Sequence, residues 1–234
     1  MKRILIVEDE AAIREFEAIN LKRAGYEVEE AGSGEEALSL YDSDALGFDI
    51  ALLDVMMPGM DGFTLCRELR SRSASIGIIM LTAKSQEMDK ISGLMIGADD
   101  YITKPFSPSE LLARVDSLYR RVELHNAKVA ASDVIRQGEF VLDLRRRTLQ
   151  KGGQNLELTQ VEFQMMEYFF MNPGVPLSRE AILDKVWGDD YFGEEKIVDV
   201  NMRRLRMKIE PDASHPVHLM TVWGMGYKWE AENK

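Results

Sequence analysis

Phe48-Asp49-Ile50-Ala51-Leu52-Leu53-Asp54 is an apolar run that stops at a carboxylate, and Val55-Met56-Met57-Pro58-Gly59-Met60-Asp61-Gly62 follows it as a loop. A run so short and so apolar suits a strand buried on both faces of a parallel sheet. Toward the amino terminus, Ile4-Leu5-Ile6-Val7 has the same character and stops at Glu8-Asp9. Residues 11–24 between them read as a helix ended by Gly25, residues 26–31 as a strand, and Gly32-Ser33-Gly34 as a turn opening a helix through Leu40. Toward the carboxyl terminus, residues 76–81 form a fourth strand ending at Thr82, and residues 100–103 a fifth ending at Lys104-Pro105. Ser107-Pro108-Ser109-Glu110 is a helix start with a capping-box pair and proline at the first helical position. Leu111, Val115, Leu118 and Val122 then share one face of that helix. Alternation of this kind predicts an α/β, doubly wound five-stranded parallel sheet.

In such sheets the functional crevice lies beyond the carboxyl ends of the strands. The residues at those ends are Glu8 and Asp9, Asp54, Thr82 and Lys104. Carboxylates about 5 Å apart repel by roughly 3 kcal/mol per pair at an effective dielectric near 20. A hard divalent cation, Mg²⁺, with Lys104 as a second positive charge, would offset that repulsion. A carboxylate beside a cation, an ammonium and a hydroxyl is equipped to attack a phosphoryl group and hold the acyl phosphate.

Val7-Glu8-Asp9-Glu10, Leu53-Asp54-Val55-Met56-Met57-Pro58-Gly59-Met60-Asp61-Gly62, Leu81-Thr82-Ala83 and Asp99-Asp100-Tyr101-Ile102-Thr103-Lys104-Pro105-Phe106 resemble, in order and spacing, the flavodoxin-like receiver domain of two-component response regulators. The resemblance implies that Asp54 is the phospho-acceptor. It implies that Glu8, Asp9, Asp54 and the Met56 carbonyl arrange Mg²⁺, partly through water. It also implies that Thr82 and Lys104 hold phosphoryl oxygens, that Lys104-Pro105 is cis, and that Thr82 and Tyr101 form a switch pair whose aromatic ring turns inward. Gly32-Ser33-Gly34 lacks the Lys-Ser/Thr of a phosphate-binding loop. Met56, Met57 and Met60 read as loop packing, and Cys66 as buried core.

The 234 residues suffice for two domains, and composition excludes wholesale disorder, with 45% hydrophobic and 29% charged residues. No apolar run approaches a membrane span, and the first residues lack a signal peptide's apolar stretch, so no membrane association and no export are expected. A single cysteine fits a reducing cytoplasm. The net charge of −11 taken alone argues against a nucleic-acid partner. Its placement reverses that inference. Residues 1–122 carry 14 Lys and Arg against 22 Asp and Glu, a balance of −8, while residues 123–234 carry 15 against 18, or −3. The second part also concentrates its bases, in Arg145-Arg146-Arg147 and in Arg203, Arg204, Arg206 and Lys208.

Residues 123–136 read as a linker between domains at 1–122 and 137–234. Residues 140–144, 148–150 and 155–158 look like short strands. Thr159-Gln160-Val161-Glu162 is a second capping box, and Ser178 a candidate cap of the next helix. The third helix, over residues 197–209, carries Val198, Met202, Leu205 and Ile209 on one face; Arg203 and Arg204 fall opposite, with Asn201, Arg206 and Lys208 on the flanks. Residues 219–222 and 227–230 frame Gly224-Met225-Gly226 as a hairpin. Three helices, the last basic, and a trailing hairpin suggest a second, smaller winged helix-turn-helix domain.

Val198-Asp199-Val200-Asn201-Met202-Arg203-Arg204-Leu205-Arg206 and Thr221-Val222-Trp223-Gly224-Met225-Gly226-Tyr227 resemble the effector domain of OmpR/PhoB-class response regulators. The resemblance implies promoter DNA as partner, with Lys196, Asn201, Arg203, Arg204, Arg206, Lys208, Thr221 and Tyr227 at the contact. Trp223 departs from the arginine usual at that wing position, so the arginine's contact does not transfer. Arg145 to Arg147 are open between a phosphate contact and a solvated strand turn. The loop from Gly188 to Gly193 is a candidate contact for RNA polymerase.

Coupling of the halves is likewise implied by resemblance. A sensor histidine kinase would phosphorylate Asp54, docking through the first helix and the loop after the fifth strand. A homodimer would then form on phosphorylation, with Lys90 pairing Glu110, Asp100 pairing Arg114, and Asp99 pairing Arg121. Two other readings compete: a phosphohydrolase or flavin binder, which no phosphate-cradling loop supports, and a receiver that no longer uses phosphorylation, which the complete acidic set opposes. The expected protein is a transcriptional regulator, not a turnover enzyme.

Overall fold

The computed structural model describes residues 2–83, 96–123, 134–188, 191 and 194–231, with side chains to 119 in the helix that ends at 123. The chain divides into two units, Met1–Val122 and Glu123–Lys234.

The first unit holds β1 (Arg3–Val7), α1 (Ala11–Arg23), β2 (Glu27–Ala31), α2 (Gly34–Ser43), β3 (Ile50–Asp54), α3 (Gly62–Arg72), β4 (Gly77–Ala83), β5 (Asp100–Lys104) and α4 (Pro108–Glu123). The strands pair in parallel in the order β2-β1-β3-β4-β5, the expected doubly wound sheet. Alternation along each strand sends Ile4, Ile6, Leu52, Leu81 and Ile102 to the side covered by Ala18 and Leu21 of α1 and by Leu111, Val115 and Leu118 of α4. Continuing that alternation by one step puts Glu8, Asp54 and Lys104 at the rim of the same side. Caps fix the helix starts: Ser33 Oγ accepts from Glu36 N, Asp61 Oδ1 from Thr64 N, and Ser107 Oγ from Glu110 N. The Gly32-Ser33-Gly34 turn is therefore a helix cap. Cys66 is fully buried in α3.

The second unit holds β6 (Val134–Gln137), β7 (Phe140–Asp143), β8 (Thr148–Lys151), β9 (Gln154–Leu156), α5 (Gln160–Met171), α6 (Arg179–Trp187), α7 (Lys196–Ile209), β10 (Leu219–Val222) and β11 (Gly226–Trp229). Strands β6 to β9 form an antiparallel meander, and β10 and β11 a hairpin. The expected linker ends early, because Val134–Gln137 is an edge strand paired with β7. Its four residues alternate between exposed and half-buried, which leaves no apolar signature. Phe140 and Phe170 pack on Trp229 with ring centroids 5.1 and 4.9 Å away. Ser178 caps α6 through Ala181 N, and the Thr159/Glu162 capping box forms in both directions. Lys90 and residues 189, 190, 192 and 193 of the candidate polymerase loop lie outside the described residues, as does the side chain of Arg121.

Candidate functional site

Three parallel strands end in acids or a base at one rim. Glu8 follows β1 and is fully buried, Asp54 ends β3 at 5% exposure, and Asp9 is half-buried. Each offers a carboxylate oxygen, and these atoms lie within 4.8 Å of one another. Lys104, the last residue of β5, reaches back over the rim. Its Nζ stands 2.5 Å from Glu8 Oε2 and 2.9 Å from Asp54 Oδ1. Burial alone would lower the Lys104 pKa, but hydrogen bonds to Asp54 and Glu8 hold it above its ordinary value. Burial pushes the Glu8 carboxyl up, against the pull of Lys104. With the carboxylates ionised, three anions face one ammonium, and the donor set is all hard oxygen; both features fit a divalent cation.

The loop after Asp54 is pinned on both sides. Val55 N donates to Leu81 O at 2.9 Å and Gly62 N to Val55 O at 3.1 Å. A side chain at Gly62 would place its Cβ 2.1 Å from the Asp54 carbonyl oxygen, so only glycine admits this approach. Met56 projects outward at 64% exposure, two residues past Asp54. Thr82 is buried next to Leu81, the register partner of Asp54, and the Lys104–Pro105 bond is cis. Tyr101 is buried at 6% exposure.

Residues expected in intermolecular charge pairs have partners within the chain. Asp99 is fully buried and engaged by Arg70 of α3, Nη2 to Oδ2 at 2.5 Å, and it also accepts from Ile78 N. Arg70 is fixed further by Gly97 O at 2.7 Å and by Ile76 O. Asp100 is paired within its own chain, to Arg114 at 3.2 Å, and Arg114 also meets Glu110 at 3.3 Å. Four of the residues assigned to a two-fold contact, Asp99, Asp100, Glu110 and Arg114, thus have partners within the chain, and Arg70 is a residue the spacing did not single out.

The basic face of α7 also differs from its helical-wheel position. Arg204 is 6% exposed and pairs with Glu162 of α5 at 3.0 Å, while Asn201 is fully buried, donates to Ile197 O and accepts from Arg204. Lys208 Nζ lies 2.6 Å from the same Glu162 and 2.7 Å from Glu157 O. The capping-box acid is therefore also the buried counter-ion of α7. Although burial opposes it, Arg204 and Lys208 hold the Glu162 pKa below its ordinary value. Arg206 bonds Leu219 O and Thr221 Oγ1, tying α7 to the hairpin. Tyr227 is buried too: its hydroxyl donates to Asp199 at 2.6 Å and accepts from Arg179, and burial followed by the Asp199 bond pushes its pKa up to about 12. Asn201, Arg204 and Tyr227, expected at the DNA contact, are thus buried and bonded within the unit. Lys196 and Arg203 stay exposed, and Arg206 and Thr221 half-exposed. Arg147 is drawn inward, its guanidinium 5.0 Å from the Phe163 ring centroid, which leaves Arg145 and Arg146 outside.

Residues 4–116 match the response regulator receiver domain family, and residues 153–229 match the family of transcriptional regulatory proteins' C-terminal domains. The Sensory transduction protein RegX3 of Mycolicibacterium smegmatis is 43% identical over 230 residues, 98% of this chain and 100% of the relative. RegX3 of Mycobacterium tuberculosis is also 43% identical over the same shares. Among solved structures, a RitR mutant superposes with a TM-score of 0.80 at 25% identity, covering 99% of this chain and 100% of the other. DrrB of Thermotoga maritima, an OmpR/PhoB homologue, superposes at 0.51 and 30% identity, over 98% and 99%. With a receiver rim of carboxylates and lysine in the first unit and a winged-helix arrangement in the second, the chain belongs to the two-component response regulators that carry a receiver domain and an OmpR/PhoB-type DNA-binding domain.

Proposed function

We propose that the chain is a transcriptional regulator switched by transfer of one phosphoryl group to Asp54. The carrying observation is the Lys104 ammonium held between Glu8 and Asp54 at a rim of three carboxylates. Glu8, Asp9 and Asp54, with the Met56 carbonyl, would hold Mg²⁺, which when bound shields the incoming phosphoryl charge. An Asp54 oxygen attacks phosphorus, the P–N bond to a kinase phosphohistidine breaks, and the leaving imidazole keeps its electron pair. Lys104 Nζ, freed from its carboxylate contacts as charge shifts onto the phosphoryl oxygens, pairs with one of them; the Thr82 hydroxyl donates to another. Water then hydrolyses the acyl phosphate and regenerates the carboxylate, so the chain is a switch and not a turnover enzyme.

An apolar groove of about 530 Å³, lined by Ala12, Ile13, Phe16, Pro105 and Phe106 beside Lys104, supports a kinase docking at this rim. Phosphorylation favours a receiver dimer in which Asp100 and Arg114 exchange their internal pairing for an intermolecular one, with Lys90, Glu110 and Arg121 beside them. The DNA reading rests on α7, where Lys196 and Arg203 are exposed, Arg206 is half-exposed, and Glu162 pairs with Arg204 and Lys208. The test is mass spectrometry of the full-length chain after incubation with acetyl phosphate and Mg²⁺. One phosphoryl group per chain, absent in Asp54→Asn and after chelation, is expected. Multiple turnovers of a small phosphoester without a stable adduct would replace this reading with a phosphatase.

A further inference from the structure

The hairpin β10–β11 has a tip of three residues, Trp223, Gly224 and Met225, closed by a hydrogen bond from Met225 N to Val222 O at 2.9 Å. Gly224 adopts φ 75°, which allows the tight turn and holds both large side chains outward. Trp223 is 90% exposed and Met225 62%, while the other two tryptophans, Trp187 and Trp229, are at 1% and 0%. A monomeric surface seldom leaves a tryptophan so open.

Charge is not what this wing offers. From Leu219 to Trp229 the one basic residue is Lys228, and it is paired with Glu230. The hairpin is nevertheless fastened to the recognition helix. Arg206 of α7 bonds Leu219 O and Thr221 Oγ1, and Tyr227 donates to Asp199 of the same helix. Leu177 and Tyr227 also exchange backbone hydrogen bonds at 2.7 and 2.9 Å. The tip therefore stands two residues beyond Thr221, a strand residue bonded to Arg206 of α7.

We propose that Trp223 and Met225 form an apolar DNA contact, seated against deoxyribose and base edges of the minor groove beside the site that α7 reads. The inference rests on the DNA-binding reading of this unit and adds its mode of contact. Large apolar side chains enter minor grooves by wedging at base steps, and aromatic rings stack on bases whatever their identity. Such a contact releases no counterions, so it strengthens binding without steepening its salt dependence; each phosphate neutralised would instead add about 0.9 to the slope. For a chain of net charge −11, an uncharged contact gains affinity that survives at physiological salt.

The experiment uses the full-length chain and a duplex selected by it from a random-sequence pool. Trp223 emission should be quenched by acrylamide in the free chain and shielded on the duplex, while Trp187 and Trp229, buried in the chain itself, should stay protected throughout. Trp223→Ala should weaken binding about five- to hundredfold with an unchanged salt slope and an unchanged thermal melt. Trp223→Phe should retain most of the affinity, and Trp223→Arg should steepen the slope by about 0.9. Equal binding by wild type and Trp223→Ala, with Trp223 still quenchable on the duplex, overturns the wing contact and leaves DNA binding intact. Shielding already present in the free chain overturns it in favour of a protein surface covering the wing. Failure to recover any duplex removes the DNA reading and the wing contact together.

Discussion

Glu17 is a glutamate inside the receiver core. It lies on α1 between buried Ala18 and Leu21 and the charged rim, fully buried, and neither carboxyl oxygen has a hydrogen-bond partner among the described residues. Burial first, then the charges of Glu8 and Asp54, lift its pKa from 4.5 to about 8, with Lys104 only partly opposing. A rise of that size, at about 1.4 kcal/mol per pH unit, corresponds to roughly 5 kcal/mol. Its sign follows from linkage. Between about pH 4.5 and about pH 8 the folded chain keeps a proton that the unfolded chain has released, so stability falls as pH rises and levels off above about pH 8. At pH 7 the loss is about 3 kcal/mol relative to acid. Glu17→Leu, of similar volume and without orphaned oxygens, should stabilise the receiver by roughly that amount at pH 7. Glu17→Gln should remove the pH slope while keeping a polar group in place. The assay is urea unfolding followed by near-ultraviolet circular dichroism of the receiver tyrosines. All three tryptophans belong to the second unit, so their emission serves as an internal control that should not move. A difference between wild type and Glu17→Gln that stays flat from about pH 5 to about pH 8 would refute a neutral, unpartnered Glu17.

Glu162→Gln removes the buried anion shared by Arg204 and Lys208 while its amide oxygen still accepts from Thr159 N in the α5 capping box. A loss of about 3–5 kcal/mol is expected in the tryptophan-detected transition, with the receiver transition unmoved. Lys104→Met leaves three carboxylates without their ammonium, so Mg²⁺ affinity measured by calorimetry should rise while Asp54 phosphorylation slows by about tenfold or more. Cys66 is fully buried, so iodoacetamide should label it only as the receiver unfolds; labelling at native conditions would contradict its place in α3.

The sheet and its rim could be read from the sequence because each strand is a short apolar run that ends in a chemically distinct residue. Periodicity also gave the three helices of the second unit. What it missed were partners that come from other elements. The α7 wheel sets Arg204 opposite the apolar stripe, yet a glutamate three residues into α5 is deep enough to draw that arginine inward. Nothing in the spacing of Arg70 says that it spans from α3 to Asp99. In α1 the local pattern even misleads, because Phe16 and Ile19 stand about 40% exposed while Glu17 is buried; Phe16 lines the groove beside Lys104. The edge strand β6 lacked a signal because neither of its faces is fully covered.

Phosphorylation of Asp54 coupled to DNA binding is tested most directly by titrating a selected duplex with the full-length chain, with and without acetyl phosphate and Mg²⁺, beside Asp54→Asn. A phosphodonor-dependent rise in affinity for wild type, accompanied by dimer formation in sedimentation and absent from Asp54→Asn, is the predicted result. Identical affinity and mass for wild type in both conditions, with Asp54 shown to be phosphorylated, would contradict it.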